Sequence, residues 1–77
     1  MVSLWIKICG LRSAAAIEVA AEAGADAVGF VFHAPSPRHL EPTAARALQA
    51  AVPPGVERVA VFLHPTQALV DAALEAI

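Results

Sequence analysis

Residues 27–32 read Ala27-Val28-Gly29-Phe30-Val31-Phe32, six apolar positions directly after Ala23-Gly24-Ala25-Asp26. The run is too short for a helix and is apolar on both faces, the pattern of a parallel strand covered on two sides. Gly24, just upstream, suits the left-handed end of a preceding helix. Downstream, His33-Ala34-Pro35-Ser36-Pro37-Arg38-His39 holds two prolines and a serine, which marks a loop. A buried parallel strand with a helix before it and a stiff loop after it belongs to a βα repeat.

The flanking sequence continues that repeat. Leu4-Trp5-Ile6-Lys7-Ile8-Cys9 predicts a strand over 4–9, stopped by Gly10. Ser13 stands where an N-cap belongs, and a helix is expected over 13–23, with Ile17, Ala20, Ala21 and Gly24 on one face and Glu18 and Glu22 on the other. Past the 27–32 strand, Pro42 suits the first turn of a helix over 42–52 whose inner face carries Ala45, Leu48 and Val52. Pro53-Pro54-Gly55 ends it. Residues 57–63 form the third expected strand, His64-Pro65 breaks it, and Thr66 caps a helix over 66–77. Strict β-α-β-α-β-α alternation implies a parallel α/β sheet with right-handed crossovers. Both a (β/α)8 barrel and a doubly wound sheet meet that description.

Composition narrows the class. The chain has 77 residues, of which 58% are hydrophobic and 16% charged, and its mean hydropathy is +0.66. That excludes a disordered chain, which is poor in apolar residues and rich in charge. No window approaches the roughly 18 uninterrupted apolar residues of a membrane-spanning helix. The net charge of −2 is interspersed, without a basic patch, so nucleic acid is not an expected partner. The lone Cys9 cannot form an internal disulfide and fits a reducing compartment, the cytoplasm. The N-terminal Met1-Val2-Ser3-Leu4-Trp5-Ile6-Lys7 has no basic segment followed by an apolar core, so no signal peptide is expected. A chain of about 60 residues buries only about 60% of its surface, so this much apolar sequence predicts association or further sequence. Leu69, Ala72, Ala73 and Ala76 still mark an apolar face where the sequence ends, and residues 1–77 are read as the N-terminal part of one larger domain.

The residues able to carry chemistry lie near strand ends. In the first strand Leu4, Ile6 and Ile8 share one side, and Trp5, Lys7 and Cys9 the other. Cys9 sits at the C-terminal end, where α/β sites are built. Lys7 stands about 6–7 Å away along the strand, close enough to favour a thiolate. Alternatively Cys9 is a small buried hydrophobe and Lys7 reaches to water. Trp5 is expected in the core. Arg38, between prolines and a histidine on a stiff loop, suits bidentate binding of a carboxylate or phosphate, or is a solvated surface arginine. His33, His39 and His64 follow strands but lack metal-ligand spacing. Cys9-Gly10-Leu11-Arg12-Ser13-Ala14 has one glycine and is no phosphate-binding GxGxxG loop, which weakens a flavodoxin-like alternative.

Lys7-Ile8-Cys9-Gly10-Leu11, then Gly24-Ala25-Asp26-Ala27-Val28-Gly29-Phe30-Val31-Phe32, then Ser36-Pro37-Arg38, with Val59-Ala60-Val61-Phe62 as the third strand, together resemble the phosphoribosylanthranilate isomerases. The likeness runs over essentially the whole chain. It implies a (β/α)8 barrel, here about its first three βα units, and a place in tryptophan biosynthesis. The implied reaction is the Amadori rearrangement of N-(5-phosphoribosyl)anthranilate to 1-(2-carboxyphenylamino)-1-deoxyribulose 5-phosphate. By the resemblance Cys9 is the general base and Arg38 holds the anthranilate carboxylate. Lys7 is a possible tuner of the thiol, and no cofactor or metal is required.

Arg12-Ser13-Ala14-Ala15-Ala16 replaces the family's more usual Thr-containing acidic helix start, and His33-Ala34 and His39 stand where Tyr or Lys are frequent. The resemblance also implies a general-acid aspartate after a later strand and a phosphate site near strands seven and eight, both outside these 77 residues. The chain alone is therefore expected to be inactive. The alternative reading is a non-catalytic barrel fragment that self-associates or complements a C-terminal piece through uncovered strands and helix faces.

Overall fold

The computed structural model describes residues 4–77. The first three residues of the stretch read above for a signal sequence lie outside that range. Three strands, β1 (Lys7–Cys9), β2 (Ala27–Val31) and β3 (Glu57–Val61), alternate with helices α1 (Ala14–Glu22), α2 (Pro42–Leu48) and α3 (Gln67–Ala76). A 3₁₀ turn, Gln49–Ala51, extends α2. The sheet is parallel in the order β1-β2-β3.

Local chemistry accounts for the element ends. Ser13 Oγ accepts a hydrogen bond from the Ala16 amide at 3.1 Å, and Thr66 Oγ1 accepts one from the Leu69 amide at 3.2 Å, so each satisfies one of the orphan donors at a helix start. Gly24 adopts φ +98°. Its amide bonds the Ala21 carbonyl and the next amide, Ala25, reaches back to Ala20, the paired bonds of a Schellman end.

All three helices lie on one side of the sheet. Ile17 of α1, Ala45 of α2 and Ala73 of α3 form a single buried cluster with Val28 and Phe30 of β2 and Phe32 just beyond it. Phe32 stacks on Phe62 with centroids 5.7 Å apart. A doubly wound sheet would divide its helices between two faces. Helices on one face only, over a parallel sheet in sequential order, make a segment of barrel wall. Strand alternation then turns Ala27, Gly29 and Val31 to the opposite face. Their register partners Lys7 and Cys9 on β1, and Glu57, Val59 and Val61 on β3, turn the same way.

Several elements differ in extent from the sequence reading. β1 covers 7–9 instead of 4–9, because β2 begins only at Ala27 and gives Leu4 and Trp5 nothing to pair with. Trp5, expected in the core, is 60% exposed. The chain before β1 is held by Asp26, whose Oδ2 accepts the Ile6 amide at 2.8 Å while the Asp26 amide donates to the Ile6 carbonyl at 2.8 Å. The helix expected over 42–52 tightens to 3₁₀ geometry after Leu48, a common way for a helix to end. β2 and β3 stop at Val31 and Val61, earlier than the expected 32 and 63, and α1 and α3 are each one residue shorter at both ends, since their caps lie outside the helical residues.

Candidate active site

Two residues picked from the sequence, Cys9 and Arg38, come to the C-terminal end of the sheet, Cys9 just before Gly10 and the Arg38 stem over it. Cys9 is the last residue of β1, and Gly10 follows it with φ +81°. The Arg38 side chain lies over Gly10. A Cβ built at Gly10 would collide with Arg38 Cδ, and would stand 3.2 Å from Nε and 3.3 Å from Cγ. The thiol and the guanidinium stem therefore flank one glycine.

The loop after β2 carries Arg38 to that place. The Ser36 amide donates to the His33 carbonyl at 2.9 Å and the His39 amide to the Ser36 carbonyl at 3.1 Å. Ser36 Oγ accepts the Arg38 amide at 3.1 Å. The chain then returns to the sheet, where Leu40 donates to the Val31 carbonyl at 2.9 Å and its side chain is buried. His39 Nε2 contacts Glu41 Oε1 at 3.0 Å. The prolines restrict φ, but the Ser36 turn and the return to Val31 set the direction of Arg38. Among the described residues the Arg38 guanidinium has no hydrogen-bond partner, and both Cys9 and Arg38 are exposed.

Gly29 is the neighbour of Cys9 on β2. A Cβ there would stand 3.0 Å from Cys9 Sγ and 3.3 Å from Cys9 Cα. The Gly29 carbonyl accepts the Gly10 amide at 3.0 Å and lies 3.4 Å from the Leu11 amide. Sequence reasoning passed over Gly29 as one position of an apolar run, and took Gly10 only as a strand stop. An isolated glycine inside a strand is itself a sign of close approach, and that sign was available. Lys7 lies two residues before Cys9 on the same sheet face, exposed.

Elsewhere, an open apolar cleft of about 520 Å³ runs between β1 and α1, walled by Ile6, Ile8, Leu11, Val19 and Ala20. It lies on the helix side of β1, away from the thiol. Among the described residues no group of three or more His, Cys, Asp or Glu side chains is arranged to hold a metal ion, and no helix is long and apolar enough to cross a membrane.

An exposed thiol ends β1, and the residue after it lies under the stem of an exposed guanidinium, groups of the kinds that serve as a base and that bind a carboxylate. The family model for N-(5'-phosphoribosyl)anthranilate isomerase matches residues 6–77. The isomerase of that name from Paracoccus denitrificans is 51% identical over 69 residues, covering 90% of this chain and 32% of that protein. The one from Thiobacillus denitrificans is 47% identical over 72 residues, covering 94% and 35%. Among solved structures, phosphoribosyl anthranilate isomerase from Thermotoga maritima superposes with a TM-score of 0.82 at 39% identity, over 96% of this chain and 37% of that one. An isomerase complex with reduced 1-(o-carboxyphenylamino)-1-deoxyribulose 5-phosphate gives a TM-score of 0.81 at 39% identity, over 96% and 39%. The chain thus spans about a third of the length of the curated relatives it matches.

Proposed function

The chain belongs to the N-(5'-phosphoribosyl)anthranilate isomerase family, and from that premise we propose that it supplies the base and the carboxylate anchor of such an isomerase. The observation that supports this most is the placement of Arg38 across Gly10, immediately after Cys9. In the proposed reaction the substrate is a phosphosugar joined to anthranilate. Arg38 pairs its planar guanidinium with the anthranilate carboxylate and so fixes the sugar over the end of β1.

The rearrangement begins when a general acid protonates the ribose ring oxygen and the anilino nitrogen lone pair opens the ring, leaving a protonated imine at C1. The Cys9 thiolate then takes the proton from C2. The C2–H electron pair forms C2=C1, and the C=N pair returns to nitrogen. Loss of the proton from the C2 hydroxyl and gain of one at C1 give the ketone. A free thiol has a reference pKa near 8.5, so a base role needs a larger thiolate fraction at neutral pH. Lys7 stands two residues away on the same strand face. In the whole protein the general acid and phosphate cradle come from other strands of the barrel. A thiol that must stay free fits a cytoplasmic enzyme.

The test joins residues 1–77 to the remaining two thirds of the Paracoccus denitrificans relative. The chimera is expected to turn over N-(5-phosphoribosyl)anthranilate, while the 77-residue chain alone gives no product. A folded chimera without turnover would overturn the reading.

A second reading concerns the chain by itself. β1 and β3 each leave one edge unpaired, Ile6, Ile8 and Val19 are exposed along the apolar cleft, and Leu4 and Trp5 are exposed just before β1. Unpaired edges and contiguous apolar surface promote association, so the isolated chain self-associates.

A further inference from the structure

We infer that Gly29 is a positioning residue for the Cys9 thiol: the absent side chain at position 29 sets where the sulfur stands, and the carbonyl of the same residue holds the platform under Arg38. The catalytic consequence rests on the isomerase reading; the geometric claim does not. Gly29 is buried in the middle strand and faces the same side as Cys9, its register partner. Its φ lies outside the left-handed region, so backbone freedom does not explain a glycine here.

Space explains it. A methyl at 29 would stand 3.0 Å from Sγ, whereas unstrained carbon contacts lie at about 3.5–4.0 Å. The sulfur would have to give by a few tenths of an ångström or leave its rotamer. The methyl would also fill the space beside the sulfur. The Gly29 carbonyl meanwhile accepts the Gly10 amide at 3.0 Å, and Gly10 carries the Arg38 stem. One residue of β2 thus contacts the thiol and holds the glycine on which Arg38 lies.

Cys9 is the only cysteine in the chain, so its alkylation by iodoacetamide reports this thiol alone. Gly29→Ala is expected to slow alkylation at least fivefold in the 77-residue chain. Loss of fold is read separately from the melting transition of the variant, so the two causes are distinguished. Should Gly29→Ala melt the chain, Cys9→Ala in the same background should recover at least half of the lost melting temperature, because the sulfur it strikes is gone. In the chimera, Gly29→Ala is expected to lower kcat at least tenfold with KM within about twofold. An unchanged alkylation rate in a folded variant, or a melting loss that Cys9→Ala leaves in place, would overturn the inference. A chimera inactive with Gly29 intact would count against the isomerase reading alone, since alkylation and melting need no turnover.

Discussion

The Arg38 side chain rests on the α-carbon of Gly10, with Nε and Cγ 3.2 and 3.3 Å from the point a Cβ would occupy. That contact joins the end of β1 to the loop after β2, two places 28 residues apart in the sequence. It also makes Gly10 doubly constrained, since its φ of +81° disfavours any side chain. Gly10→Ala should therefore displace Arg38 as well as strain the turn. In the chimera the expected result is a KM raised about tenfold with a smaller effect on kcat, read from steady-state kinetics.

The two named side chains should separate kinetically. Cys9→Ser removes the proposed base, and general-base groups typically contribute about 10²–10⁴-fold. kcat should fall by about that factor while KM changes by less than about threefold. Arg38→Ala removes the proposed charge-assisted pair with the substrate carboxylate, of a kind worth about 1.5–3 kcal/mol. It should raise KM by roughly ten- to a hundredfold. Product formation over a range of substrate concentrations distinguishes the two patterns, and a Cys9→Ser chimera retaining most of its kcat would exclude the thiol as base.

Asp26 ties the start of the sheet together. Its carboxylate accepts the Ile6 amide, its own amide donates to the Ile6 carbonyl, and its carbonyl accepts the Glu57 amide at 2.9 Å. Asp26→Ala removes only the carboxylate bond, which is partly exposed, so the expected loss is about 1–2 kcal/mol. A lower midpoint in urea with an unchanged slope would show this.

Val19 is 65% exposed at the rim of the cleft between β1 and α1. Val19→Glu places a charge on that apolar wall without touching the sheet. Sedimentation of the 77-residue chain at two concentrations should show weaker self-association than in the parent. An unchanged distribution would locate the association at the strand edges instead.

Much of the fold was legible locally. Ser13, Thr66, Pro42 and Gly24 each mark a helix end by chemistry confined to one or two turns, and each occupies that place. The apolar run at 27–32 identified the central strand because burial on both sides leaves no polar position. Trp5 and the length of β1 were misread for the complementary reason. A strand needs a partner, and whether residues 4–6 have one depends on where β2 begins, which no property of 4–6 encodes.

For the site, residue type and position named Cys9, Arg38 and Lys7 as candidates, because thiol, guanidinium and ammonium are chemically distinctive and α/β sites gather at one end of the sheet, and the family resemblance supplied the roles proposed for them. Their sequence also carried the family. Only the tertiary structure put Arg38 on Gly10, turned all three helices to one face, and set Gly29 beside the Cys9 sulfur. Those relations depend on register and on a loop that returns to Val31. Hydrogen bonds between residues distant in sequence fix both, and composition and periodicity do not express them.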